Sequence, residues 1–178
     1  MKNTIKTFAA IVITSFIMMG GCVEKLVKVD FDYTSSGDFK TTVLPTTGNN
    51  TFGSSVVTSE LKQKVEENGA SLNDLDELKL KSASVAFKTP TQTDNFNGVE
   101  NIEIWISADG LAPIKLASKT GVADGLTSVS LDVNTTDNLA NYIKATTFTY
   151  EIKGTNSEPL PAMDLKVITT YNVKASKK

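Results

Sequence analysis

The chain has 178 residues, a formal net charge of −2 and a single cysteine. Histidine and arginine are both absent, which excludes histidine-based acid–base catalysis and histidine zinc sites, and removes the planar donor used for bidentate phosphate recognition. A disulfide framework is excluded too, and the scattered lysines provide no clustered basic surface for nucleic acid.

The N-terminal residues combine two lysines with a short apolar run that ends in two glycines and the cysteine. The run, residues 8–19, is shorter than the roughly 20 residues that a membrane-spanning helix needs, and its order is that of a signal peptide. The tetrad Met19-Gly20-Gly21-Cys22 resembles the lipobox of bacterial lipoproteins, in which the lipid-modified cysteine becomes the first mature residue.

This resemblance covers residues 1–22 and implies a signal peptide of residues 1–21 and one tethered domain of residues 22–178. It implies a thioether-linked lipid and an acyl chain, such as palmitate, on Cys22. Each buried methylene contributes about 0.8 kcal/mol, so several chains anchor the protein almost permanently. Because Val23 rather than aspartate follows the cysteine, the resemblance implies the outer membrane of a Gram-negative cell envelope.

The first part of the mature chain is predicted to form a β-hairpin. Residues 25–34 alternate strictly between apolar and polar side chains, residues 35–38 are turn formers, and alternation resumes over residues 39–45. Residues 46–55 are rich in Thr, Gly, Asn and Ser, and this composition predicts a loop.

Two short helical segments are predicted next. Ser59 is placed to cap a helix in which Val57, Leu61 and Val65 share a face and which Asn68-Gly69 ends. Ser71 and Asp74 have the spacing of a capping box, which predicts a helical turn over residues 72–76.

A long strand over residues 77–88 carries an irregular pattern. Its apolar positions are Leu78 and Leu80 in the first half but Ala83, Val85 and Phe87 in the second. One inserted residue near Lys81-Ser82 restores a single inward face, so a β-bulge is predicted there.

The remaining pattern is that of short strands separated by turns. Strands are predicted at residues 102–107, 113–117, 127–133, 146–153 and 164–174, and Asp137 is placed to cap a helical turn carrying Leu139, Tyr142 and Ile143. About eight strands with two or three short helices predict an all-β fold, an antiparallel β-sandwich of immunoglobulin-like or related Greek-key type. An α+β layout is disfavoured because the helices are too short to cover a sheet.

Trp105 is the only tryptophan, and its parity directs it away from the face formed by Ile102, Ile104 and Ile106. An outward tryptophan on an exported domain is suited to stacking on a sugar ring or to anchoring a protein partner. The alternative is that it packs beneath a neighbouring loop or short helix.

Two polar clusters are candidates for calcium, which prefers six to eight oxygen ligands. Neither has the repeating spacing of a dedicated calcium loop, and acidic residues are expected near helix starts in any case. The clusters consist of Asp74, Asp76 and Glu77, and of Asp94, Asn95 and Asn97.

The function predicted from these observations is a membrane-anchored binding or structural module, not an enzyme, that contacts an envelope protein or a glycan and has no cofactor besides its lipid. The alternative is a carboxylate-based hydrolase of envelope polysaccharide, since Asp30 and Asp32 share one face of a strand. That chemistry needs two carboxylates roughly 5 to 10 Å apart across a concave site.

Overall fold

Residues 27–177 are the part of the chain that the computed structural model describes, and the predictions made for residues 1–22 lie outside it. Within that range no helix is both long and apolar enough to cross a membrane. The strands are β1 (Val27–Lys40), β2 (Gly48–Thr58), β3 (Leu75–Phe87), β4 (Val99–Ala108), β5 (Leu111–Thr120), β6 (Ser128–Val133), β7 (Thr147–Asn156) and β8 (Asp164–Lys177), and the helices are α1 (Leu61–Glu67), α2 (Ala140–Ile143) and a 3₁₀ turn (Leu72–Asp74).

All eight strands belong to one antiparallel sheet in the order β1-β8-β3-β6-β5-β4-β7-β2. The sheet curls into a half-barrel, with its apolar side chains on the inner face. The all-β antiparallel class is therefore confirmed. Two separate packed sheets are not observed, because β6 pairs with both β3 and β5 and so joins the strands into one sheet.

The sheet consists of two four-stranded groups with a narrow junction. We call β1, β8, β3 and β6 the first group, and β5, β4, β7 and β2 the second group. β5 and β6 are paired only at Ala117↔Val133 and Ser118↔Asp132. On the other side, β1 and β2 lie in contact but share no strand pairing among the described residues.

The predicted hairpin at residues 35–38 is wrong, because β1 runs straight through this segment and pairs with β8 along its whole length. Ser35 is buried, and a Cβ added to Gly37 would lie 3.1 Å from Val57 Cγ2 and 3.3 Å from Tyr150 Cδ2. The small residues therefore leave room for core side chains from the second group. Local turn propensity is overridden by the β8 partner strand.

The predicted loop over residues 46–55 is also wrong, since residues 48–58 form β2, an edge strand paired with β7. A bulge between Thr51 and Gly53 accompanies the turn of Phe52 into the core, where only 2% of its surface is exposed. Polar side chains are tolerated because much of the strand faces solvent. Composition alone could not reveal a strand whose stability comes from its neighbour.

The short helical segments are largely as predicted. Leu61 and Val65 of α1 are buried, and Gly69 follows the helix with a φ of +82°, the left-handed conformation that glycine adopts most easily. Ser71 donates from both its backbone N–H and its hydroxyl to Asp74 Oδ2, each at 2.8 Å, which confirms the capping box.

Two predicted caps act differently from expectation. Ser59 Oγ accepts a hydrogen bond from Leu61 N–H at 3.3 Å and donates to the carbonyl of Ile143, although the helix itself begins after Glu60. At the second helix Asn138 rather than Asp137 is the capping side chain, because Asn138 Oδ1 accepts from Ala140 N–H at 3.1 Å.

The predicted bulge in β3 is confirmed. Leu80 pairs with Tyr171 and Ser82 with Thr170, which leaves Lys81 as the inserted residue. The apolar residues on both sides of the bulge are buried on the same inner face: Leu78, Leu80, Ala83, Val85 and Phe87.

A buried hydroxyl network connects the two groups across the core. Tyr150 Oη lies 2.6 Å from Tyr171 Oη and 2.7 Å from Thr169 Oγ1, and Thr169 Oγ1 donates to the Ser35 carbonyl at 3.3 Å. Burial raises the pKa of Tyr150 and raises that of Tyr171 well above its ordinary value, so both hydroxyls stay protonated and can donate. Tyr150 thus links β7 of the second group to β8 of the first.

Candidate functional site: the outer sheet face around Trp105

Trp105 lies on the outer face of β4, as its parity predicts, while Ile102, Ile104 and Ile106 are fully buried on the inner face. The indole is half-buried, and two residues that bind it, Glu103 and Lys153, belong to β4 and β7. In the pairing of β4 with β5, a register shift between Ile104 and Trp105 brings Lys115 directly opposite Trp105.

A network of four charged side chains surrounds the indole. Its Nε1–H donates to Glu103 Oε2 at 2.9 Å, and Lys153 Nζ lies 4.8 Å from the ring centroid, within cation–π range. Lys115 Nζ is 3.1 Å from Glu103 Oε1, and Lys153 Nζ is 3.0 Å from Glu151 Oε2. The network fixes the orientation of the ring and presents both signs of charge around it.

The Glu103 carboxylate is tuned by this arrangement. Partial burial on its own would raise the pKa of Glu103, but the hydrogen bonds from Trp105 and Lys115 outweigh it, and the pKa is lowered below its ordinary value. Glu103 therefore remains ionised at neutral pH and holds the indole N–H.

Exposed uncharged residues extend this surface toward β2. Ser54 of β2 pairs with Glu151, and Glu151 pairs with Trp105, so the three side chains stand in one row across the sheet. In the next row Val56, 72% exposed, pairs with Thr149. We call Trp105, Glu103, Lys115, Glu151, Lys153 and Val56 the Trp105 face.

The first predicted calcium cluster is not assembled into a site. Asp74 caps the 3₁₀ turn, and Glu77 forms ion pairs with Lys79 and Lys174 Nζ, the latter at 3.0 Å. These lysine contacts lower the pKa of Glu77. Asp76 is exposed at the start of β3.

The second predicted cluster is likewise engaged in local structure. Asp94 Oδ2 accepts from the Thr91 backbone N–H at 2.8 Å, Asn95 Oδ1 accepts from Asn97 N–H, and Asn97 Oδ1 accepts from Gly125 N–H at 2.6 Å. Across residues 27–177, no group of three or more His, Cys, Asp or Glu side chains is arranged to hold a metal ion.

Asp30 and Asp32 lie on the outer face of the edge strand β1. Asp30 Oδ1 accepts from Asn172 Nδ2 at 2.6 Å, and Asp32 Oδ2 is 2.6 Å from Lys81 Nζ, the side chain of the bulge residue. Both carboxylates thus bind side chains of neighbouring strands on a solvent-exposed surface. These contacts link β1 to β8 and β3 and do not form a concave site.

Sequence reasoning missed a shallow groove between residues 88–98 and residues 157–163. Glu158 lines it together with Asp94, and Phe87 and Met163 contribute apolar side chains. Glu158 packs over Gly98, where an added Cβ would lie 2.4 Å from Glu158 Cγ. Only the two prolines at 159 and 161 hint in the sequence at an ordered loop.

A second small cleft was also missed. It lies between β1 and β2, which are not paired with each other. Tyr33, Ser35, Val57 and Glu60 line it, and Tyr33 Oη accepts from Glu60 N–H at 3.2 Å. Ser35 Oγ is buried without a partner at full hydrogen-bond geometry among the described residues, but it lies close enough to Tyr150 to offset part of the rise that burial causes in the pKa of Tyr150. No sequence signal marks this cleft, because it depends on how the sheet curls.

Comparison of the chain with protein-family models and with curated proteins found no match.

Proposed function

We propose that this protein is an outer-membrane lipoprotein, processed before Cys22 and anchored by lipid on that residue, which acts as a binding module for another envelope protein. The Trp105 face is its contact surface. The observation that carries the proposal is a tryptophan on an outer sheet face, partly exposed and held by charged neighbours of both signs.

A protein partner suits this surface better than a sugar. Tryptophan is enriched among the residues that dominate protein interfaces, and such residues are commonly ringed by polar contacts that exclude water. The ammonium group of Lys153 lies over the indole ring, where a stacked sugar ring would have to displace it. Glu103, Lys115 and Glu151 supply donors and acceptors around the centre.

The test is capture of partners from detergent-solubilised envelope by the native protein and by Trp105→Ala. The variant is expected to lose a specific partner at least tenfold, since truncating a central interface residue typically costs about 2 kcal/mol or more. Ile168→Ala is the matched control, because Ile168 is 37% exposed on the outer face of the first group. Equal capture by native protein and Trp105→Ala would contradict the proposal.

A glycan array with the same three proteins separates the sugar-binding version. Binding of the native protein and Ile168→Ala, but not of Trp105→Ala, to one glycan class would show that the Trp105 face binds carbohydrate. No glycan binding together with loss of a protein partner supports the proposal as stated.

The anchor has its own test. Cys22→Ser is expected to leave the membrane fraction and to lose metabolic palmitate labelling, because this is the only cysteine in the chain. A variant that continued to take up palmitate would rule out Cys22 as the lipidated residue.

The carboxylate hydrolase remains a second candidate because Asp94 and Glu158 line one groove. If they act on a polysaccharide, Glu158→Gln and Asp94→Asn each abolish its hydrolysis without unfolding the protein. Absence of hydrolysis by native protein across envelope polysaccharides removes this candidate.

A further inference from the structure

The distance between Cys22 and the folded domain is limited by the chain itself. β1 begins at Val27, five residues after the cysteine. Even fully extended, such a segment spans at most about 18 Å. If Cys22 carries the lipid, as proposed above, the start of β1 lies within that distance of the membrane surface.

The strand register identifies the other elements at this end of the sheet. Lys28 at the start of β1 pairs with Ser176 at the end of β8, and Ala175 of β8 pairs with Leu75 at the start of β3. The 3₁₀ turn and α1 immediately precede β3 in the chain. We call this the tethered end.

The second helix and the hairpin between β4 and β5 lie at the same end. Leu139 N–H donates to the carbonyl of Leu78 near the start of β3 at 2.7 Å, which holds α2 there. Tyr142 Oη donates to the Ala112 carbonyl at 2.7 Å and so connects α2 to the start of β5.

The opposite end carries the groove between the long loops. Lys40 at the end of β1 pairs with Asp164, and Leu165 pairs with Phe87 at the end of β3. Residues 88–98 follow the end of β3, and residues 157–163 precede the start of β8. We call this the free end; the fourteen residues of β1, at about 3.3 Å each, separate it from the tethered end by roughly 43 Å.

A domain of this length reaches the membrane with its free end only by lying on its side. The outer faces that would then touch the lipid carry ion pairs, Asp32 with Lys81 and Asp38 with Lys88 on the first group, and Glu103 with Lys115 on the second. Pressing these faces onto lipid would desolvate the charged pairs, and this cost offsets the hydrophobic free energy gained by burying their exposed apolar residues, Val56 and Ile168.

We propose that the tethered end, formed by α1, α2, the 3₁₀ turn and the β4–β5 hairpin, faces the lipid surface, and that the free end points away from it. Trp105 precedes the end of β4 at Ala108 by three residues, so it lies nearer the tethered end. A partner that binds the Trp105 face therefore works close to the membrane, whereas the groove with Asp94 and Glu158 opens on the far side.

The inference rests on the proposed anchor and is tested with the lipidated full-length protein in vesicles of phosphatidylethanolamine and phosphatidylglycerol. Since the chain has no other cysteine, Asn73→Cys at the tethered end and Thr93→Cys at the free end each provide one site for a fluorophore. Both residues are exposed. Energy transfer to an acceptor dye on the lipid headgroups then reports the height of each end.

Transfer from Asn73→Cys is expected to exceed transfer from Thr93→Cys several-fold. Inserting 20 Gly and Ser residues between Glu24 and Lys25 is expected to reduce transfer from Asn73→Cys, because such a linker adds a reach of about 25 Å. Equal transfer from both sites, higher transfer from Thr93→Cys, or no effect of the insertion would each overturn the proposal.

Failure of the anchor gives a different result. A native chain that takes up no palmitate and does not float with vesicles removes the lipoprotein proposal, and the orientation falls with it. A chain that is labelled and floats, but shows equal transfer from both ends, keeps the anchor and removes the orientation alone.

Discussion

Strand pairing within each four-stranded group is extensive, whereas strand pairing between the two groups is sparse. Inside the first group, β1 and β8 are paired over fourteen consecutive residues. Between the groups, β5 and β6 share two residue pairs, and β1 and β2 share none that the structure records. Backbone ladders therefore stabilise each group, whereas core side chains, the Tyr150 network among them, hold the groups against each other.

The largest expected effect comes from a substitution inside the second group. A Cβ added to Gly154 of β7 would lie 2.3 Å from the Asn101 carbonyl oxygen of β4 and 2.9 Å from Phe52 Cζ. Because one neighbour is backbone, Gly154→Ala must separate paired strands. We expect a loss of about 3 kcal/mol or more in the free energy of unfolding, at the upper end for overpacking, measured by urea unfolding through Trp105 emission.

Gly37→Ala is the matched control for Gly154→Ala, because Gly37 lies where the two groups contact each other. Its added Cβ would meet side-chain atoms only, at 3.1 to 3.3 Å, and these can move by a few tenths of an ångström. The expected loss is about 1 kcal/mol. A loss from Gly37→Ala as large as that from Gly154→Ala would show that the contact between the groups is as rigid as the ladders within them.

The next effect is on the hydroxyl network between the groups. Thr169 uses its hydroxyl hydrogen for the Ser35 carbonyl, so its oxygen accepts from Tyr150. The Tyr150 oxygen in turn accepts from Tyr171. Tyr150→Phe removes the hydroxyl that accepts from the buried Tyr171 and breaks the link to Thr169, which is expected to cost about 1 to 3 kcal/mol in urea unfolding.

Tyr171→Phe is expected to cost less than Tyr150→Phe, because Tyr150 can still donate to Thr169 in that variant. The reverse ranking of the two variants would mean that the donor order in the network is wrong.

The smallest effect concerns the outer face of the second group at low pH. Glu103 has a lowered pKa in the folded protein, so its contribution to stability is present above the unfolded-state pKa and is lost as the pH falls through the folded-state pKa. Emission from Trp105 is expected to change with a midpoint below the ordinary glutamate range.

Glu103→Gln should abolish this transition while keeping a hydrogen-bond acceptor for the indole. A transition that persists in Glu103→Gln would assign the emission change to another group. Glu151 and Lys153 do not replace Glu103 in this prediction, since the indole N–H binds Glu103 directly.

Sequence periodicity predicted those parts of the fold in which each strand shows its own inner and outer face. The parity change around Lys81 was sufficient to locate a bulge, and the Ile102, Ile104 and Ile106 alternation was sufficient to orient β4. Both signals arise from burial of one face, which every strand experiences independently of its partners.

Periodicity failed where a distant strand decides the local structure. Residues 35–38 have turn composition but lie opposite residues 166–169 of β8. Residues 48–58 have loop composition but gain a partner in β7. The single curled sheet could not be distinguished from a sandwich either, since the difference lies in the pairing of β6 with β5, a contact of two residue pairs.

The candidate site was predicted in part. Parity placed Trp105 on the outer face, but the ring's partners depend on the register of three strands, which brings Lys115 and Glu151 beside it. The polar clusters around Asp74 and Asp94 were recognised as clusters, yet their carboxylates are used for capping and turn hydrogen bonds. Sequence shows that acidic residues are close, not which backbone groups they bind.

The pairing of β1 with β8 joins the first strand of the sheet to the last. β8 also forms the longer of the two ladders of β3. Neither β1 nor β3 can therefore complete its pairing until residues 164–177 are available. During synthesis from the N-terminus, the first group therefore stays open until residues 164–177 are available, and closing a loop of this length makes assembly slow. A truncation before residue 164 would leave two long strands with exposed edges and an aggregation-prone chain.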